Sequence, residues 1–297
     1  MKFQNRSRQV FRAHFSEVLP EKVPSPQLLC FSRRCAEDLG LSANEAEREL
    51  FTQIFSGNYD YSLGNLSSIS QPYATVYGCH SFGYWFGQLG DGRACTLGEI
   101  HTICSNPTTG DQKEGQKYVL QLKGSGRTPY SRHGDGRAVL RSCLREFLAS
   151  EAMYHLGVPT TRALCVILTG QQVGRYWYKN KVEESQENNK QTDPSAVQYT
   201  AIDDRFPPNQ LHNEHGAVMT RVSSKSFVRI AQLELFCKRD DAQNAMLLAD
   251  YIIKHEYPMI LTECEVDGVD AMDMSNSMDD MILDLAVNAA DRYISLY

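Results

Sequence analysis

The sequence predicts an α+β fold, a twisted antiparallel sheet with a helix packed on it. Three observations lead there. Residues 72–103 read as strands broken by a glycine cluster, GYWFGQLGDGR at residues 83–93. KYVLQLK at residues 117–123 alternates, with Tyr118, Leu120 and Leu122 on one face and Val119, Gln121 and Lys123 on the other, the period of a half-buried strand. A helical pattern runs from Arg137 to about Leu156, with Gly157 as its C-terminal cap and Pro159 beyond.

Composition sets the bounds. The chain has 297 residues, 42% hydrophobic and 22% charged, enough for one large domain or two modest ones. A net charge of −6 offers no general basic surface for nucleic acid. No run of about 18 apolar residues exists to span a membrane. Nine cysteines (Cys30, Cys35, Cys79, Cys95, Cys104, Cys143, Cys165, Cys237 and Cys264) are odd in number and scattered without a CxxC pair. They argue for reduced thiols, and against a disulfide framework or a structural zinc. His212 and His215 form one HxxH in a polar stretch and are expected to be solvated. The opening MKFQNRSRQVFRAHF is basic, as in a short targeting peptide, but lacks a signal peptide's apolar region and runs straight into folded-looking sequence.

Taken in order, residues 1–50 read as a loop-rich lead-in ending in a helical patch. Glycine inside a strand costs roughly 0.5–1 kcal/mol relative to alanine, so the cluster at residues 83–93 needs a reason. A tight hairpin with a bulge is one; a backbone that must come close to a ligand, most often a phosphate, is the other. GSGRTPYSRHGDG at residues 124–136 is a loop by content. In the helix that follows, Leu140, Leu144, Phe147, Leu148 and Met153 supply a buried stripe. ALCVILTG at residues 163–170 and then VGRYWY at residues 173–178 read as two strands. Residues 179–213 are a polar, proline-bearing insertion. A strand returns at residues 216–222 and a helix at residues 226–239. The tail from 261 to 297 holds nine acids and one basic residue, Arg292. It lacks calcium-loop spacing and reads as an acidic loop leading to a helix at residues 278–297.

The helix at residues 137–156 works against local electrostatics. Arg137, Arg141 and Arg145 lie four apart, and two of them crowd the positive N-terminal end. An anionic partner is expected, either carboxylates of the fold or phosphates. The chain order is also informative: a glycine-rich strand–turn–strand, a strand ending in Lys123, then a helix whose Glu146 can reach that lysine. Small lobes of protein kinases use this order, the lysine neutralising phosphate oxygens and the glutamate holding the lysine. A dinucleotide-binding unit would place its glycines directly between strand and helix, whereas this helix opens about eleven residues after Gly126. Neither a GxxxxGK[ST] loop nor a GxSxG elbow occurs.

Three long stretches carry a resemblance: GYWFGQLGDGRACTLGEI, LQLKGSGRTPYSRHGDGRAVLRSCLREFLASEAMYHLGVPTTRA and GAVMTRVSSKSFVRIAQLELF. From about residue 9 to about residue 258 the chain resembles the selenoprotein O family, whose bacterial members are known as YdiU. The resemblance implies a protein-kinase-like fold that transfers AMP rather than phosphate. It implies ATP bound in reverse, with Mg2+ or Mn2+, and attachment of AMP to Ser, Thr or Tyr hydroxyls of proteins. Matched residue by residue, nucleotide contacts fall on Gly90, Gly92 and Arg93, on Lys123, on Asp135 and Gly136, and on Arg221 and Arg229. Glu146 becomes the ion-pair partner of Lys123. The two arginines stand one residue further apart than in the family's usual pattern, so Arg229 is expected to be displaced.

The resemblance also sets the expected organisation: an N-terminal extension at 1–70, a kinase-like nucleotide-binding lobe at 71–258 with its insertion at 179–213, and a divergent acidic tail at 259–297. The family's His-Gly-x-x-Asn-x-Asp-Asn stretch and its Asp-Tyr-Gly do not occur in this sequence. No catalytic or metal-binding residue is therefore assigned, the C-terminal lobe is expected to be mostly absent, and this chain alone is expected not to transfer AMP. The alternatives are an inactive ATP-binding module, or a half-enzyme whose exposed lobe face is covered by a partner chain. Relatives imply a cytoplasmic or a mitochondrial location.

Overall fold

The computed structural model describes residues 5–60, 71–81, 83–105, 112–176 and 211–256. Two compact units divide the chain, Met1–Ala245 and Met246–Tyr297. The first is built on a nine-stranded antiparallel sheet. Its strands are β1 (Phe15–Glu17), β2 (Gln27–Phe31), β3 (Tyr73–Ser81), β4 (Tyr84–Gly90), β5 (Ala94–Ser105), β6 (Gln112–Lys123), β7 (Ala138–Val139), β8 (Arg162–Tyr176) and β9 (Leu211–Ser223). Their main order is β1-β3-β5-β6-β9-β8-β2, with β4 paired to β3 and β7 to β9. Described helices are α1 (Arg33–Asp38), α2 (Glu49–Ser56), α3 (Leu140–His155), α4 (Ile230–Cys237) and α5 (Ala242–Glu256).

Helices cover both faces of the central strands. On one face α1 and α2 bring Ala36, Leu39, Phe51 and Phe55 against Leu97, Leu122, Leu164, Ile167 and Val218. On the other, Cys143 of α3 packs with Ala163, Val166, Ala217 and Met219, flanked by Leu140 and Phe147. The alternation read in residues 117–123 holds, but burial is two-sided: Val119, Leu120, Gln121 and Leu122 are all buried. A strand with helices on both faces has no solvent side to expose.

The structure departs from several sequence expectations, each for a local reason. The first 60 residues are no separate lead-in: β1 and β2 form the two ends of the sheet order, and α1 and α2 supply core. Residues 163–176 do not form two strands, because β8 continues through a register shift between Leu168 and Gln172; residues 177–178 lie outside the described residues. Helix α3 starts at Leu140 rather than Arg137, because Ala138 and Val139 pair with Ala217 and Gly216 of β9 and hold the chain extended. Arg137 is thus off the helix, and the clash of three arginines on one face dissolves. Arg137 pairs with Glu21, Arg141 forks onto Glu214, and Arg145 is exposed, so the anions here are carboxylates of the fold. Leu148, expected in the buried stripe, is exposed. Of the insertion expected at 179–213, residues 211–213 belong to β9, where they pair with β8, and the rest lies outside the described residues, as does the tail at 259–297.

Cys30, Cys35, Cys79, Cys95, Cys143, Cys165 and Cys237 are free thiols. Burial pushes Cys35, Cys143 and Cys165 up to about 12, so these thiols are inert packing groups at neutral pH. His215 is exposed as expected, whereas His212 is half-buried.

One ion cluster ties three elements together. Arg162, at the start of β8, is nearly buried and donates Nε and Nη2 to Glu151 of α3 at 2.8 Å each, with Nη1 on Asp38 of α1. Glu151 also accepts from Ser32 Oγ at 2.7 Å and from the Ala163 N–H at 3.0 Å. Tyr154 stacks beneath the guanidinium, 3.7 Å from it. Burial by itself raises the Glu151 carboxyl, but these hydrogen bonds outweigh it and hold the group below the usual carboxylate range. Removing one partner of such a pair strands a buried charge, so Glu151→Gln is expected to destabilise the first unit by about 3 kcal/mol. A carboxyl with a depressed folded pKa stabilises above its unfolded value, about 4.3, and loses that contribution as pH falls through the folded one. Denaturant unfolding between pH 7 and pH 3 should show this acid-sensitive component in the unaltered chain and its loss in Glu151→Gln. An identical pH dependence in the two would contradict the assignment.

Candidate functional site

A pocket of about 690 Å³ opens in the first unit where the β4–β5 turn, the end of β6, the loop at residues 130–137 and the far parts of β8 and β9 converge. All eight residues matched as nucleotide contacts line it: Gly90, Gly92, Arg93, Lys123, Asp135, Gly136, Arg221 and Arg229. Glu146 stands behind Lys123 in a small adjoining gap.

Lys123 is the last residue of β6 and lies on the face covered by α3. Its Nζ donates to Glu146 Oε1 at 2.6 Å and Oε2 at 2.8 Å. Burial lowers the lysine's pKa most, with Arg221 and Arg93 lowering it further while Glu146 opposes them. Glu146 therefore does two things: it aims the ammonium, and it keeps the proton on it.

Arg221 sits opposite Gln121 in the β6–β9 ladder. Its Nη1 donates to Gln121 Oε1 at 2.9 Å, and Gln121, fully buried, passes its own Nε2–H to Thr96 Oγ1 at 3.2 Å. A glutamine at this buried position holds the guanidinium without neutralising it. Burial and then the neighbouring Arg229 lower the Arg221 pKa, so the pair of arginines repel one another. Arg229, at the N-cap of α4, lies over the Tyr77 ring at 4.8 Å. It was expected to be displaced by the longer spacing, yet it lines the same pocket as Arg221. The irregular segment at residues 224–229 takes up the extra residue. Among the described residues no carboxylate is paired with Arg93 or Arg229.

The glycines also have a reason inside the fold. At Gly90 a Cβ would lie 2.7 Å from the Thr75 carbonyl oxygen and 2.8 Å from Tyr130 Cβ; at Gly92 it would lie 2.8 Å from the Tyr130 carbonyl oxygen. Gly136, at φ +70°, presses on the Gly126 carbonyl. Within the chain, the close approach is to its own backbone and loop. That loop is laced to the β4–β5 turn, with Thr128 Oγ1 donating to the Asp91 carbonyl at 2.7 Å and Ser131 Oγ to the Gly92 carbonyl. The glycines let two backbone segments close into one wall.

Pattern reading passed over Asp91, Tyr77 and Arg175. Asp91 is buried, and its Oδ2 accepts from the Thr75 N–H at 3.1 Å and the Thr75 hydroxyl at 2.6 Å. Burial raises its pKa, partly offset by those hydrogen bonds and the two arginines. Asp135 accepts both Nη groups of Arg175, at 2.8 and 3.0 Å, and the Arg137 N–H at 2.9 Å. Burial raises the Asp135 carboxyl, but Arg175 and the Arg137 N–H prevail and hold it below the usual range. The DG dipeptide could have flagged Asp91 as a turn acid; nothing in the periodicity singles out Arg175.

The residues present do not fit a resident divalent cation. Both pocket carboxylates are already engaged, Asp91 by Thr75 and Asp135 by Arg175. No group of three metal-ligating side chains comes together among the described residues. The pocket can instead hold an anion: Arg93, Lys123, Arg221 and Arg229 converge with Glu146 alone paired to one of them. Guanidinium and ammonium donors in a partly desolvated cleft bind phosphate oxygens through charge-assisted hydrogen bonds.

A family model described as "Protein adenylyltransferase SelO" matches residues 1–183. "Protein nucleotidyltransferase YdiU" of Methylobacillus flagellatus is 41% identical over 254 residues, 86% of this chain and 40% of that protein. Its counterpart from Aromatoleum aromaticum is 43% identical over 251 residues, covering 84% of this chain and 40% of the relative. That from Rhodopirellula baltica is 39% identical over 264 residues, or 89% and 41%. The chain spans about 40% of the length of these curated relatives. With the family model matched over more than half of its residues, the chain belongs to the SelO protein adenylyltransferase family.

Proposed function

We propose that the pocket holds the phosphates of ATP, and that the chain is the nucleotide-binding part of an enzyme transferring AMP to Ser, Thr or Tyr hydroxyls of proteins. One observation carries the reading: Arg93, Lys123, Arg221 and Arg229 line one cleft with a single carboxylate, Glu146, paired among them. The kinase-like arrangement of a strand lysine ion-paired to a helix glutamate supports it as well. The names carried by the relatives, protein nucleotidyltransferases, point the same way.

In this reading Lys123, oriented by Glu146, meets phosphate oxygens, and Arg221 and Arg229 lose their mutual repulsion when an anion enters between them. AMP transfer joins an acceptor oxygen to the α-phosphorus and releases pyrophosphate, so fixed cations along the phosphates stabilise the charge of the leaving group. At the family level ATP is used with Mg2+ or Mn2+, and the described residues supply no step through that metal.

A second reading, ATP binding without transfer, is favoured by the engagement of the pocket's acids. Asp91, Asp135 and Glu146 are each tied to Thr75, Arg175 or Lys123, which leaves none of them to take a proton from an acceptor hydroxyl.

ATP titration tests the shared part. Lys123→Ala is expected to weaken ATP binding by at least about tenfold, since it deletes a desolvated charge partner and leaves Glu146 facing the anion. Glu146→Gln should weaken it in the same direction by less. Unchanged affinity in Lys123→Ala would contradict the phosphate assignment. Mass spectrometry then separates the readings: an AMP adduct on a test protein that disappears in Lys123→Ala supports transfer, and saturable ATP binding without any adduct supports the second reading.

A further inference from the structure

We infer that Arg175 is a positioning residue of the pocket, fastening the loop at residues 130–137 to the end of β8 so that Asp135 and Gly136 form one wall of the cleft. The inference rests on the phosphate-binding reading for its ligand, but not for its geometry. Arg175 presents a complete fork to Asp135, Nη1 to Oδ2 at 2.8 Å and Nη2 to Oδ1 at 3.0 Å. Nη2 also donates to the Arg137 carbonyl at 3.0 Å, and Nη1 to the Gly174 carbonyl at 2.8 Å. One guanidinium thus bridges the two sides of Gly136 and secures them to β8.

The loop needs such a fastening. Gly136 takes a left-handed backbone and is crowded against Gly126, and Arg132 also has a positive φ of 53°. The Arg137 N–H closes onto Asp135 Oδ1, which makes the aspartate the hub of the turn. The groups facing Asp135 are Arg175 from β8 and the Arg137 N–H, while the Arg137 guanidinium is itself tied to Glu21. Arg132 and His133 precede the aspartate in the same loop. Lysine could not replace this arrangement, because a point ammonium lacks the planar fork that spans both carboxylate oxygens. Both side chains are partly exposed, 30% for Arg175 and 44% for Asp135, so the pair contributes little to global stability. Its effect is local order where the ligand docks.

The experiment compares the unaltered chain with Arg175→Ala, Arg175→Lys, Asp135→Asn, the Asp135→Asn/Arg175→Ala double variant and Lys123→Ala. The readouts are ATP titration across pH, amide hydrogen exchange and thermal unfolding. Arg175→Ala should weaken ATP binding about tenfold through lost preorganisation. It should speed exchange at residues 130–137 with or without ATP, and leave the melting temperature nearly unchanged. The double variant should be no weaker than either single one, since both break the same fork. Arg175→Lys should restore affinity only in part. The acid limb of ATP binding should move to higher pH in Arg175→Ala, because a carboxylate without its fork protonates nearer the ordinary range, and should vanish in Asp135→Asn. Unchanged loop exchange in Arg175→Ala, or additive losses in the double variant, would overturn the positioning role. If Lys123→Ala leaves ATP affinity untouched while the loop still loosens in Arg175→Ala, the phosphate reading fails and the loop fastening stands.

Discussion

The Lys123–Glu146 ion pair is the interaction on which the pocket depends. It joins the last residue of β6 to the helix that covers it. Lys123 can hold its charge there only because Glu146 counters the burial and the two nearby arginines that push the proton off. Arg221, opposite Gln121 on the neighbouring strand β9, is held by that neutral side chain rather than by an acid. The result is a cleft whose positive charge is oriented but left largely uncompensated. Coulomb repulsion among cations that line one partly desolvated site is unfavourable until an anion arrives. The same feature suits the cleft to an anion.

The rest of the fold keeps those cations in place. Strand β9 is paired on both sides and sets Arg221 beside β6. Far from the cleft, Arg162, Glu151 and Asp38 pin α3 to β8 and α1, which fixes the helix carrying Glu146. The glycines at 90, 92 and 136 let the β4–β5 turn and the loop at 130–137 meet backbone to backbone. A side chain at any of them would force the wall apart and move Arg93 or Asp135 with it.

Much of this was legible in the sequence, for reasons that are local. Two-residue alternation marked β6 and put Lys123 on the same face as Gln121, and the order of glycine turn, lysine strand and glutamate helix placed the ion pair correctly. What escaped is long-range. Pairing of Ala138 and Val139 with β9 decided where α3 begins, and no periodicity inside residues 137–156 records that. Arg137 and Arg141 called for an anion of either kind, carboxylate or phosphate; the partners are Glu21 and Glu214, more than 70 residues away in sequence. For the glycines, a need for space shows in sequence, while the object that fills it, here Tyr130 and the backbone around it, does not. Arg175 was silent for the same reason: its partner is fixed by the fold, not by spacing.

The most direct measurement is a crystal structure of this chain with a non-hydrolysable ATP analogue. The account requires the phosphates within hydrogen-bonding distance of Lys123 and the guanidinium groups of Arg93, Arg221 and Arg229, with the Lys123–Glu146 pair intact. An analogue seated elsewhere, or phosphates turned away from all four cations, would contradict it.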